Sequence, residues 1–360
     1  MPTLSAPLRL GSISCPNRVL MAPVTRTRGT RNHVPTKLMA TYYAQRASAG
    51  LIISEAIGIS QQGLGLAFAT GIWNEEQVEG WRRITDAVHA EGGRIVAQVW
   101  HMGRMVHPDF CSGALPVSAS PTCAPGRAHT YAGRQPYVAA RQLDPGEIFD
   151  TILPEYRHAA RNARRAGFDG VQVHAANGYL IDQFLRDSSN LRNDAYGGPV
   201  ANRLRLLQEV TQAVVEEVGA DRTSVRLSPN GPIQGVNDSD PEPLFCAAGA
   251  MLDRLGIAFL ELREPPRDGT LGQADHDPIA PAIRNSFRGP LVLNSDITPG
   301  EAVRLVGLGL ADAVSFGRLF VSNPDLPYRL QTGQRLAPYD KDTFYGQGPA
   351  GYTDYPPIRP

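Results

Sequence analysis

The chain has 360 residues, 42% hydrophobic and 19% charged, with 35 Lys and Arg set against 35 Asp and Glu. That length fits one large domain or two medium ones, and zero net charge argues against a dedicated nucleic-acid binder, which carries a basic excess. The four cysteines, Cys15, Cys111, Cys123 and Cys246, form no CxxC pair or disulfide framework, and with no export signal in 1–10 and no apolar run of about 18 residues, a cytoplasmic protein without a membrane span is expected.

In chain order, short apolar runs alternate with amphipathic stretches. A hairpin is expected at 8–14. The runs at 19–22, 51–59, 94–100, 170–174, 223–227, 259–263, 290–294 and 313–316 read as strands apolar on both faces, as in a buried parallel sheet. Helices are expected between them at 36–49, 74–91, 144–166, 202–217, 241–255, 277–287, 299–308 and 323–330. Asn74 stands as an N-cap and Pro145 at a first helical position. Ile148, Ile152, Tyr156, Ala159 and Ala163 recur at three- and four-residue steps as one stripe. Eight strands alternating with eight helices predict an α/β fold, a (β/α)8 TIM barrel, which needs roughly 250 residues. The surplus falls in 101–143, which holds five Pro and four Gly and reads as an inserted excursion or hairpin lid after strand 3, and in a tail at 332–360. No linker or internal repeat divides the chain, so 1–360 reads as a single domain. A doubly wound sheet is the rival, but no G-x-G-x-x-G turn follows the first strand.

Such barrels work at the C-terminal ends of their strands, and polar residues gather there. Thr25 follows strand 1, Gln98 sits on strand 3, and His174, Asn177 and Tyr179 close strand 4. Arg226 ends strand 5, Asn294, Ser295 and Asp296 end strand 7, and Gly317 and Arg318 end strand 8. Gly317 and Arg318 suit a phosphate held by the last two loops, or else a turn and a surface cation. Arg226 in a barrel mouth requires an anion, either a ligand or a loop carboxylate. His174 and Asn177 can donate to one substrate oxygen with Tyr179 aimed beside them, or else they are a core histidine and a turn-forming Asn-Gly. His101, His107 and Asp109 match no common zinc spacing, so no metal is expected. His33, His89, His129, His158 and His276 read as solvated or packed. Only two cations are lysines, Lys37 at a helix start and Lys341 in the tail, so a Schiff-base aldolase lacks its amine. Glu55 and Glu261 are isolated acids on their strands.

Longer motifs carry a resemblance. They are NRVLMAPVTR at 17–26, YAQRASAGLIISE at 43–55, QVWHMGR at 98–104, HAANGYLIDQFL at 174–185, YGG at 196–198, FGR at 316–318, NPDL at 323–326 and GYTDYP at 351–356. With these, nearly end to end, the chain resembles the old yellow enzyme family of flavin-dependent ene-reductases, above all its bacterial branch typified by N-ethylmaleimide reductase and pentaerythritol tetranitrate reductase. The resemblance implies non-covalent FMN in the barrel mouth. It places Pro23 and Thr25 at the isoalloxazine, Gln98 at its pyrimidine edge, and Arg226 by N1 and O2. Asn294, Ser295, Asp296, Gly317 and Arg318 take the phosphate. His174 and Asn177 hold a carbonyl or nitro oxygen of the substrate, and Tyr179 protonates the α-carbon once hydride reaches the β-carbon. Trp100 and Tyr345 shape the substrate pocket with Leu66, which stands where close relatives carry Tyr. The strand 7 loop reads Asn-Ser-Asp rather than Gly-rich, which implies a side-chain contact where relatives use backbone. The implied activity is ping-pong reduction of a small-molecule activated alkene (an α,β-unsaturated carbonyl, maleimide or nitroalkene) by NADPH or NADH, in a monomer or weak homo-oligomer. Alternatives are a nitro or nitrate-ester reductase on the same scaffold, and a non-flavin barrel enzyme acting on a phosphorylated metabolite.

Overall fold

Eight parallel strands close on themselves: β1 (Val19–Met21), β2 (Ile52–Gly58), β3 (Ile95–Trp100), β4 (Gly170–His174), β5 (Thr223–Leu227), β6 (Phe259–Arg263), β7 (Leu291–Asn294) and β8 (Ala313–Phe316). This is the arrangement in a computed structural model, which describes residues 2–270 and 272–358; the last two residues of the expected tail lie outside the described residues. Each strand pairs with its sequence neighbours, and β8 closes the ring on β1. Residues of β2, β3, β4, β5 and β6 are buried throughout, because helices cover the outer face and side chains fill the inner one.

The barrel helices are α1 (Lys37–Ala44), α2 (Glu75–Ala90), α3 (Leu153–Arg165), α4 (Arg205–Val218), α5 (Pro241–Leu255), α6 (Ala280–Ser286), α7 (Pro299–Gly307) and α8 (Leu326–Thr332). Asn74 caps α2 by accepting the Gln77 N–H at 3.0 Å. Trp81, Ile84 and Val88 then face inward from α2 and are fully buried. None of the described helices is long and apolar enough to cross a membrane.

Helix α4 starts at Arg205 rather than 202, after a separate turn at Val200–Arg203, and α8 spans Leu326–Thr332 rather than 323–330. Three other helices depart from expectation for local reasons. The helix expected from 144 holds a π-turn at Ile148–Ile152 before α3 begins. Pro154 has no N–H to give the Asp150 carbonyl, so the turn widens there. The first helix stops at Ala44 rather than 49, where the Arg46 guanidinium takes the Tyr42 carbonyl (2.7 Å) that the next helical N–H needs. Helix α6 starts at Ala280 rather than 277 because Glu264, from the preceding loop, accepts the N–H groups of Ile279 (2.6 Å) and Ala280 (3.2 Å).

An antiparallel hairpin, Leu8–Leu10 with Ile13–Cys15, packs Leu10 and Ile13 against Leu20, Ile53, Val96 and Phe259 and so plugs the barrel floor. The inserted segment 101–143 is not one hairpin. Val117–Ser118 pairs in parallel with Arg141–Gln142, and a separate antiparallel hairpin joins Arg127–Thr130 to Gly133–Pro136.

Candidate active site

Every second residue of a barrel strand points inward. Strand register therefore sets inward polar residues side by side: Gln98 beside Gln172, His174 beside Arg226, and Arg226 beside Glu261. They bond in one chain. Gln98 Nε2 donates to Gln172 Oε1 (2.8 Å), and Gln172 Nε2 donates to Glu261 Oε2 (3.0 Å). The other Glu261 oxygen accepts from Ser315 Oγ (2.6 Å) and lies 2.5 Å from Arg226 Nη1. Arg226 Nη2 donates to Asn294 Oδ1 (2.6 Å), and Asn294 Nδ2 donates to the Ser315 carbonyl (2.8 Å). A carboxylate this deeply buried requires such a set of donors. The acid that meets Arg226 thus comes from β6, not from a loop. Arg226 Nε is buried with no hydrogen-bond partner among the described residues, which leaves one edge of the guanidinium for a ligand.

Strand β4 ends at His174. The Ala176 N–H donates to His174 Nδ1 (3.4 Å), leaving the ring proton on Nε2. Burial, then the charges of Arg226 and Arg263, push its pKa well below the usual value, so the ring is a neutral donor. Asn177 takes a left-handed backbone at φ 60°, which Asn tolerates. Its N–H donates to Ser228 Oγ (2.8 Å) and its carbonyl accepts from Gln234 Nε2 (3.0 Å). Those ties hold the turn, and Asn177 Oδ1 is buried with no partner among the described residues. Tyr179 sets its ring edge-on to Trp100 (centroids 4.6 Å) and to His174 (5.1 Å). Burial pushes its phenol up to about 12, with the Gln234 amide opposing part of the rise. The phenol is therefore protonated at neutral pH.

Against Tyr179 lies a cavity of about 440 Å³, lined among others by Leu66, Met102, Met105, Gln234 and Tyr345. His129, Thr130 and Tyr137 reach it from the inserted segment, with His129 exposed at the rim. Trp100 backs the cavity through its contact with Tyr179. The Tyr131 hydroxyl donates to the Arg31 carbonyl (3.1 Å) and its ring meets Phe68 edge-on, which pins the inserted hairpin to the neighbouring loops.

Asn294, Ser295, Asp296, Gly317 and Arg318 line a second cavity of about 240 Å³ with Tyr339. The Asn294 side chain itself turns toward Arg226 and Ser315. Arg318 donates to the Asp296 carboxylate and to Thr270 Oγ1. A Cβ on Gly317 would come within 3.2 Å of Val24, so the loops close tightly there. Pro23 and Thr25 are half-buried in the turn after β1.

Gln172, Gln234 and Arg263 are not singled out by the sequence, and Glu261 reads there as an isolated acid. A polar residue on a strand buried on both faces is the signal that finds Gln172, Glu261 and Arg263, whereas Gln234 lies in the loop after β5 and carries no such signal. Arg263, buried at the end of β6, is lowered to about 10 by burial and by Arg226, with Asp296 opposing. His101 and His107 each accept a nearby backbone N–H, from Gly103 (3.0 Å) and Asp109 (3.2 Å). No three His, Cys, Asp or Glu cluster as metal ligands among the described residues.

These residues fit FMN. The Arg318 niche suits a phosphate, and the open Arg226 edge suits a carbonyl oxygen that gains negative charge on reduction. The sequence profile of the NADH:flavin oxidoreductase / NADH oxidase family matches residues 3–337. An old yellow enzyme homologue from Zymomonas mobilis has 56% identity and a TM-score of 0.97, with 99% of each chain covered. Morphinone reductase, solved in complex with tetrahydroNAD, has 42% identity and a TM-score of 0.93 over 99% of this chain and 98% of its own. A chanoclavine-I aldehyde reductase of Penicillium roqueforti is 43% identical over 99% of this chain and 96% of its own. Fold and comparisons together define an FMN-dependent oxidoreductase of the ene-reductase class. The chain belongs to the old yellow enzyme family.

Proposed function

We propose that this chain reduces the C=C bond of α,β-unsaturated carbonyls, maleimides and nitroalkenes in a ping-pong cycle, with NADPH or NADH and the alkene using one site in turn. Non-covalently bound FMN supplies the hydride carrier between them. His174 donates from Nε2 to the substrate's carbonyl or nitro oxygen, and Asn177 orients the same group. That draws electrons from the alkene and directs hydride to the β-carbon. Tyr179 gives its proton to the α-carbon, completing a two-electron, two-hydrogen reduction. A phenol is a weak acid, but the carbon it meets is becoming a carbanion far more basic than water at neutral pH. Pro23, Thr25, Gln98 and Arg226 hold the flavin ring, and Gly317 and Arg318 hold its phosphate in the niche that the loop Asn294–Asp296 lines. Leu66, Trp100 and Tyr345 shape the alkene pocket.

The observation that carries this reading is the packing of His174 and Tyr179 against each other and against Trp100, with Tyr179 at the wall of the cavity. It sets an acid beside a neutral donor, as protonation of a polarised alkene requires. One FMN-binding domain over 1–360, a cytoplasmic location and a monomer or weak homo-oligomer complete the proposal. The test is product analysis with 2-cyclohexenone and either nicotinamide. Saturated ketone formed one-to-one with nicotinamide oxidised is expected. Nicotinamide oxidation without cyclohexanone under anaerobic conditions would refute the assignment.

A further inference from the structure

The second cavity holds an acid where an anion is to bind. Asp296 is the third residue of the Asn-Ser-Asp loop after β7, and its carboxylate faces Arg318 across the niche. Thr270 fixes that carboxylate from the loop after β6, through its N–H (2.8 Å) and its hydroxyl (2.8 Å). Arg318 gives one nitrogen to Asp296 and another to Thr270 Oγ1 and the Tyr339 hydroxyl (3.4 Å). Ser295 and Asp296 adopt φ of 101° and 49°, backbone that glycine takes without strain, so the loop places these side chains against its own preference. Burial raises the Asp296 carboxyl, but the Thr270 bonds and Arg318 outweigh it and hold the group below the ordinary carboxylate range, so it is charged at neutral pH.

We propose that Asp296 is a built-in competitor for the cofactor's phosphate, occupying Arg318 and weakening this chain's preference for FMN over the same flavin without its phosphate. The inference rests on the reading that this niche takes the FMN phosphate. The incoming dianion must displace the carboxylate from Arg318 or share the guanidinium with it. Either way the two anions stand across one cation, and in a half-buried niche their repulsion is only partly screened. The side-chain contact that the Asn-Ser-Asp sequence implies for the phosphate is then opposed rather than favourable.

The test titrates the full-length apoprotein with FMN and with riboflavin, by quenching of flavin fluorescence, in wild type, Asp296→Asn, Asp296→Ser and Arg318→Ala. Both Asp296 variants are expected to bind FMN about tenfold or more tightly than wild type, while riboflavin affinity moves less than about twofold. Arg318→Ala is expected to erase most of the preference for FMN over riboflavin. If Arg318→Ala lowers that preference but neither Asp296 variant raises it, the competitor role is wrong and the phosphate niche stands. If Arg318→Ala leaves the preference unchanged, the niche itself is misassigned. Equal gains for FMN and riboflavin would also overturn the inference, since loop stability rather than charge would be at work.

Discussion

Arg226 shows how one side chain is made useful by another. Arg226 Nη1 pairs with the Glu261 carboxylate, Nη2 donates to Asn294, and Nε is left without a hydrogen-bond partner among the described residues. Arg226→Ala removes the cation and strands the Glu261 carboxylate in the barrel, at a cost of about 3–5 kcal/mol in stability. Arg226→Lys keeps the charge but loses the fork. The flavin midpoint potential should therefore fall in the order wild type, Lys, Ala, about 30 mV for each 1.4 kcal/mol of stabilisation lost from the two-electron reduced form. Spectroelectrochemistry checks this, and three equal potentials would contradict it. His174 and Arg226 stand out in the sequence because they close apolar runs, and Gln98 because it opens the QVWHMGR motif. Gln172 and Glu261 do not, because their meaning lies in register between neighbouring strands, and Arg263 closes its run without a motif around it. Glu261 looks solitary along β6 and becomes the hub of the polar chain only once β5 stands beside it.

At the scale of elements, the tail and the first loop are sewn together by arginines. Arg26 donates to the Phe344 carbonyl (2.9 Å) and the Gly351 carbonyl (2.7 Å), and Arg28 donates to those of Phe344 (2.7 Å) and Thr343 (2.9 Å). Tyr42 and Tyr352 stack at 3.9 Å beneath them. This clasp carries Tyr345 to the substrate cavity, so a pocket residue depends on a tail whose sequence shows no regular pattern. Glu55 of β2 lies under the clasp, where burial raises it from 4.5 to about 8 against the pull of Arg26, Tyr43 and Arg28. A folded pKa above the unfolded one means stability fully present below about pH 4.5 and lost as pH climbs to about 8. Glu55→Gln keeps an oxygen for the Tyr43 hydroxyl and removes the titration. Its Tm should fall less than that of wild type between about pH 5 and pH 8, and parallel Tm curves would contradict the argument. The π-turn and the shortened α1 were illegible for a related reason: a missing Pro154 N–H and a competing Arg46 side chain decide them, not helical periodicity.

For the whole molecule, the alternation of apolar runs and amphipathic stretches was enough to read a closed (β/α)8 barrel, since only burial on both faces accounts for runs without polar alternation. The inserted segment was not legible beyond its Pro and Gly content, because its two small sheets are held by contacts with distant loops such as Tyr131 on Arg31 and Phe68. The closed barrel gathers residues from β3 to β8 around one mouth, where the proposed alkene reduction takes its proton from Tyr179. The measurement that tests this most directly is anaerobic stopped-flow absorbance of wild type and Tyr179→Phe, mixed first with NADPH and then with 2-cyclohexenone. Flavin absorbance should bleach at the same rate in both, and its recovery with enone should be slowed about a hundredfold or more in the variant. Recovery at the wild-type rate in Tyr179→Phe would show that the proton comes from elsewhere.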